Sequence, residues 1–190
     1  PWTFDDSTTP YREALLVYDA SLNLVAYRVS QTSLDEIFTF KTSDILNSPP
    51  AVGDTGLDGP KPHIAFLTQK GRMTVFSAAD RARAVDSDLD GSPQCDWGVT
   101  LGDLNGDGLQ DLIVADNNGF LHALTVQGRQ MSPVWQTAGA APQPREKITI
   151  YSAPANAPVT IDVNGDGRQD ILIPRQRGFD LVNGTNGSPF

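Results

Sequence analysis

Two copies of one nine-residue pattern constrain this chain more than any other feature. Asp103-Leu-Asn105-Gly-Asp107-Gly-Leu109-Gln-Asp111 is followed 59 residues later by Asp162-Val-Asn164-Gly-Asp166-Gly-Arg168-Gln-Asp170. Oxygen-bearing side chains alternate with glycines, so neither a helix nor a regular strand fits these stretches. Glycine supplies the sharp, left-handed turns that such a loop needs. Each loop runs at once into an apolar, β-branched stretch, Leu112-Ile-Val114 and Ile171-Leu-Ile173, which reads as a strand. A glycine turn and a second strand follow, Gly119 with Phe120–Leu124 and Gly178 with Phe179–Val182. From first Asp to turn Gly is 16 residues in both copies, 103 to 119 and 162 to 178. The shared spacing extends beyond the loop, so the repeating unit is a whole supersecondary element.

A degenerate copy lies upstream. Asp54-Thr-Gly-Leu-Asp58-Gly59 precedes His63–Leu67, Gly71 and Arg72–Phe76, with 17 residues from Asp to Gly and Pro62 where the last Asp is counted. An earlier copy is visible only as a hairpin, Leu15–Tyr18 with Leu24–Tyr27. Further strand-like stretches follow or precede: Ile37–Phe40, Ala82–Val85, Pro133–Thr137 and Ile148–Tyr151, and the pairs Ala51-Val52, Thr100-Leu101 and Thr160-Ile161 ahead of the loops. Ala138–Pro144 reads as a Pro/Ala-rich surface loop, and no segment has helical periodicity. First strands begin near residues 15, 64, 112 and 171, in steps of 49, 48 and 59. Four short strands per step is the size of a propeller blade. The expected fold is therefore all-β: a β-propeller of four-stranded antiparallel sheets, about four blades here. Their bounds are approximately 11–52, 53–101, 102–160 and an incomplete 161–190, in a single domain or fragment.

The loops point to a hard cation with many oxygen ligands, which is Ca²⁺. Side-chain oxygens would come from Asp103, Asn105 and Asp107, a backbone carbonyl from Leu109, and Asp111 would close the site. In the second loop the same roles fall to Asp162, Asn164, Asp166, the carbonyl of Arg168, and Asp170. An EF-hand needs a Glu at position 12, where this chain has Val114 or Ile173 inside a strand. Clustered carboxylates repel one another unless a cation sits among them. Two sites are expected, with a structural rather than catalytic role, since no His or Glu base stands beside them. A third or fourth would use weaker candidates: Asp54 and Asp58 in the degenerate loop, and Asp86, Asp88 and Asp90 in a cluster that has Gln94 where the last Asp belongs.

The formal charge of −9 comes without a basic stripe, which argues against nucleic acid as a partner. No apolar run approaches the roughly 18 residues of a membrane span. The chain opens on Pro1, which reads as a processed protein or an excised fragment. Cys95 is the only cysteine, so no disulfide can form within the chain, and it reads as a small packing residue. Localisation rests on the calcium loops: weak calcium sites fill outside the cell, at a cell surface or in a bacterial periplasm, rather than in cytosol. His63 and His122 read as structural residues. Trp97 and Trp135 read as sheet-packing residues rather than a sugar platform, and Trp2 lies in a tail. Asn183-Gly-Thr185 and Asn186-Gly-Ser188 fit a glycosylation sequon. No nucleophile elbow, Cys/His pair or phosphate loop is present, so the expectation is a non-enzyme.

Val52–Gly59, Leu101–Val114 and Val159–Ile173 together resemble FG-GAP/VCBS repeats, the calcium-binding blades of integrin α-type β-propellers. The hairpins at Asn118–Leu124 and Phe179–Gly187 are similar to those of quinoprotein-type propellers. The resemblance covers roughly residues 50 to 190. It implies a ring of roughly six to eight blades, completed by missing chain or by a partner. It also implies an extracellular adhesion or recognition module that binds a protein or glycan ligand. The alternatives are a fragment of a propeller enzyme (a calcium-dependent polysaccharide lyase or a quinoprotein-like dehydrogenase) and a structural subunit completed by a partner chain.

Overall fold

The computed structural model describes residues 4–5, 10–11, 14–29, 32–46, 48–77, 84–91, 93–136, 144–150 and 154–190. These form nineteen short strands and no helix, so none long and apolar enough to cross a membrane. A two-residue ladder joins β1 (Phe4–Asp5) to β2 (Pro10–Tyr11). The first larger sheet is the meander of β3 (Ala14–Tyr18), β4 (Asn23–Val29) and β5 (Leu34–Lys41). The second is β6 (Ala51–Gly53), β7 (His63–Leu67), β8 (Arg72–Ser77) and β9 (Val85–Asp88). The third runs β10 (Thr100–Gly102), β11 (Asp111–Ala115), β12 (Phe120–Gln127) and β13 (Gln130–Pro133). Beside it, β14 (Trp135–Gln136) pairs with β15 (Pro144–Arg145), and β16 (Lys147–Thr149) pairs with the start of β12. The fourth sheet is β17 (Val159–Ile161), β18 (Asp170–Pro174) and β19 (Phe179–Val182). Every pairing is antiparallel.

The central strands are apolar throughout because both of their faces are covered. Side chains alternate along a strand. In β7, Ile64 and Phe66 join Leu24, Ala26 and Phe38 of the first sheet, while Ala65 and Leu67 face Leu112 and Val114 of the third. In β11, Ile113 and Ala115 turn the other way and pack with Ile171 and Ile173 of the fourth. The larger sheets therefore stack face to face in chain order. Strand β10 lies beside β6, and β17 beside β10, so the strands ahead of the loops line one side of the stack. Phe38, Phe40, Phe66 and Phe76 fill the first interface, with Phe40 stacked on Phe76 at 4.4 Å and Phe38 edge-on to it at 5.7 Å. Such ring pairs contribute about 0.5–1.5 kcal/mol beyond their buried area.

Two expectations change. The described part of the expected Pro133–Thr137 strand, Pro133–Gln136, is divided: β12 turns back at Gly128, so Gln130–Pro133 continues its ladder, and Trp135–Gln136 leaves to pair with β15. The closing position of the degenerate loop is His63 rather than Pro62. The loop is one residue longer, and the β6–β7 ladder sets His63 opposite Gly53, as β10–β11 sets Asp111 opposite Gly102. Trp2, residues 82–83, residues 137–143 and Tyr151 lie outside the described residues.

Candidate functional site

Each nine-residue loop connects an inner strand to its hairpin partner, β10 to β11 and β17 to β18. The strand pairing fixes the first and last residues close together. Short polar side chains then fold the interior by binding the loop's own amides, the Asx-turn chemistry of Asp and Asn. The amides of Gly106 and Gly108 donate to Asp103 Oδ1 and Oδ2 at 2.6 and 2.9 Å. The Asp107 amide donates to Asn105 Oδ1 at 2.9 Å, and the Leu109 amide to Asp107 Oδ1 at 2.8 Å. The second loop repeats this bond for bond. Gly165 and Gly167 donate to Asp162 at 2.7 and 3.0 Å, Asp166 to Asn164 at 2.8 Å, and Arg168 to Asp166 at 2.9 Å. Gly106 and Gly108 have φ of 81° and 83°, Gly165 and Gly167 76° and 83°, which explains why these positions hold glycine.

The closing aspartates are buried beneath the loops. Asp111 Oδ2 accepts the Leu104 amide at 3.0 Å, and Asp170 Oδ2 accepts the Val163 amide at 3.1 Å. Asp170 Oδ1 also takes the Gly184 amide at 3.1 Å, and the Gly184 carbonyl accepts the indole N–H of buried Trp135 at 2.8 Å. Burial pushes the Asp111 carboxyl up to about 6, with the charges of Asp107 and Asp103 adding to the rise against hydrogen bonds from Leu104 and Thr125. The donor set is all oxygen: carboxylate, amide and, at Leu109 and Arg168, backbone carbonyl. That composition fits a hard divalent cation. Among the described residues no group of three or more Asp, Glu, His or Cys side chains is placed to hold a metal ion.

The weaker candidates have different surroundings. Asp86 and Asp88 stand on β9 and reach Arg72 at 3.0 and 3.1 Å, while Asp90 pairs with Lys147 at 2.9 Å. These charges are met by basic side chains across strands rather than gathered in a loop. In the degenerate loop the Gly56 amide donates to Asp54 Oδ1 at 3.0 Å, and Asp58 pairs with His63 and Lys61. His122 is buried between Asp116 and Glu146, at 3.1 and 3.0 Å. Cys95 is buried, and its thiol is pushed up to about 12 by burial and by the charges of Asp116 and Asp96. The Trp97 indole is committed to the Pro154 carbonyl at 3.2 Å.

Sequence reasoning missed the glutamine at position eight of each loop. The backbone N–H of Gln110 donates to the Asp54 carbonyl of the preceding sheet at 2.8 Å, and the backbone N–H of Gln169 to that of Asp103 at 2.8 Å. Gln169 Oε1 in turn accepts the Asp103 amide at 3.1 Å. Glycine at 53 and 102 leaves room for these side chains: a Cβ there would lie 1.7 Å from Gln110 Oε1 or 2.6 Å from Gln169 Oε1. The signal was visible as a Gln shared by both loops and a Gly shared by two of the three preceding strands.

No curated protein matches the chain. The segment from residue 103 to 173, which spans both loops and the strands that follow them, matches the family model of the FG-GAP-like repeat.

Proposed function

We propose that the chain is a calcium-stabilised β-propeller module, or an arc of one, that works outside the cell and presents its loops to a protein or glycan ligand. The observation that supports this most is the pair of loops with one hydrogen-bond scheme, each folded over a buried aspartate. Asp103, Asn105, Asp107, the Leu109 carbonyl and Asp111 would hold one ion. Asp162, Asn164, Asp166, the Arg168 carbonyl and Asp170 would hold the other. Burial, and then the charges of Asp107 and Asp103, raise the proton affinity of Asp111, and bound calcium would supply positive charge to that cluster. The role is structural, and the recognition surface lies on loops held by the rigid sheets. The step from an FG-GAP-like repeat to recognition rests on fold analogy.

The end of the stack supports an arc of a larger ring. In the third sheet Leu104 is buried against the fourth, but its counterpart Val163 is 49% exposed, beside Val159 at 52% and Ile161 at 49%. An apolar sheet face of this kind is one that a further sheet would cover.

Calorimetric calcium titration, paired with melting curves in calcium and in chelator, tests the reading. Two ions should bind per chain, and Asp111→Asn and Asp170→Asn should each remove one. Each site should contribute about 2.7 kcal/mol at a hundredfold excess over Kd. Binding of no calcium, or binding without a rise in Tm, would overturn the proposal.

A further inference from the structure

The three loops that follow β6, β10 and β17 share a frame, but the first is closed by a different chemistry. His63 occupies the closing position and is fully buried, as Asp111 and Asp170 are. Its Nδ1 accepts the amide of Thr55, the second residue of its loop, at 3.1 Å. This is the bond that Asp111 and Asp170 make to Leu104 and Val163, at 3.0 and 3.1 Å. A backbone amide can only donate, so Nδ1 is the acceptor and Nε2 carries the ring's N–H. That N–H is directed at Asp58 Oδ1, 2.9 Å away. Asp58 is the fifth residue of its loop, as Asp107 and Asp166 are of theirs. Lys61 Nζ stands 3.5 Å from the other Asp58 oxygen. Gly56, where the other loops have Asn105 and Asn164, removes one oxygen donor.

The carboxylates meet opposite partners in the two cases. Asp58 has the His63 N–H and the Lys61 ammonium against it, whereas the loop closed by Asp111 adds the carboxylates of Asp103 and Asp107. The Nε2 hydrogen and the Lys61 ammonium already stand against the two oxygens of Asp58 that a cation would need, which leaves Asp54 as the loop's one other carboxylate.

We propose that the Asp54–His63 loop is a cation-independent version of the other two, in which the His63 imidazole N–H and the Lys61 ammonium take the place of a divalent ion. The comparison rests on the calcium reading of the loops at 103 and 162; the claim about the first loop does not. The chain would then combine one sheet whose loop stays ordered without metal and two whose loops depend on it.

Amide hydrogen exchange of Thr55, Leu104 and Val163, followed in calcium and in chelator, tests this. The Thr55 amide should exchange at rates within about twofold of each other in the two conditions, while Leu104 and Val163 should lose protection by about tenfold or more in chelator. The second arm counts bound Ca²⁺ and Zn²⁺ for the wild type and His63→Gln. Both should bind the same number of ions, and the variant should expose Thr55 equally with and without calcium. Loss of Thr55 protection on chelation of the wild type would overturn the proposal. Loss of one bound ion in His63→Gln would also overturn it, because His63 would then be a ligand. If none of the three amides responds to calcium, the calcium reading fails, while a Thr55 amide protected in chelator still upholds the metal-free loop. If His63→Gln does not fold, the wild-type exchange decides.

Discussion

His122 lies buried between the carboxylates of Asp116 and Glu146, a charged cluster in the interior of the third sheet. Burial lowers the proton affinity of the imidazole, but its two carboxylate partners outweigh this and hold it above its ordinary value of 6.5. Burial raises Asp116, yet the His122 bond and charge and the Phe120 and Asn118 amides hold it below 3.8. Linkage fixes the sign. The histidine's contribution is complete below pH 6.5 and fades as pH rises through its raised folded value. The aspartate's is complete above pH 3.8 and fades as pH falls through its lowered folded value. Urea midpoints should therefore carry a component that is greatest between those two values and missing from His122→Gln. If wild type and variant ran parallel across the range, the cluster would have no such role. The histidine was readable in the sequence as structural, but its partners were not: Glu146 is 24 residues away and arrives only through the pairing of β16 with β12.

At the scale of elements, the joints between sheets rest on a glycine facing a glutamine. A Cβ at residue 102 would stand 2.5 Å from Thr160 Cγ2 and 2.6 Å from Gln169 Oε1. Thr160 is β-branched and stiff at χ1, so it has little room to yield. Gly102→Ala should therefore destabilise the protein by about 1–3 kcal/mol. Thermal or urea unfolding measures this, and an unchanged midpoint would show that the joint relaxes freely. The hairpins themselves were legible, because β-branched runs bounded by Gly, Asn and Asp carry a local signal. Ile37–Phe40 and the short pairs ahead of each loop were legible for the same reason, and they appear in β5, β6, β10 and β17. The His63 closure was not, because counting along the chain from Asp54 ends on Pro62, and only the cross-strand ladder shows which residue faces Gly53. Gln110 and Gln169 were visible as letters, but their partners belong to a neighbouring sheet.

The whole molecule is a series of sheets joined at one side, and its ends differ from its middle. Leu15, Val17, Val29 and Leu34 of the first sheet are exposed, as are Val159, Ile161, Val163 and Phe179 of the last. Ile161 stands where the preceding sheets have Gly53 and Gly102, so the glutamine seat is not repeated at this end.

Gln110 and Gln169 immediately precede Asp111 and Asp170. The residue that closes a loop is thus the chain neighbour of the residue that locks two sheets together. In mechanical terms the loops sit at the hinges of a folding screen as well as at the edges of its panels. On the calcium reading, chelation should slacken the angles between panels before it dissolves any panel. Small-angle scattering should then report a broadened radius of gyration at a chelator level where the β-sheet circular dichroism is still intact; simultaneous loss of both signals would place the hold of the loops inside the panels instead.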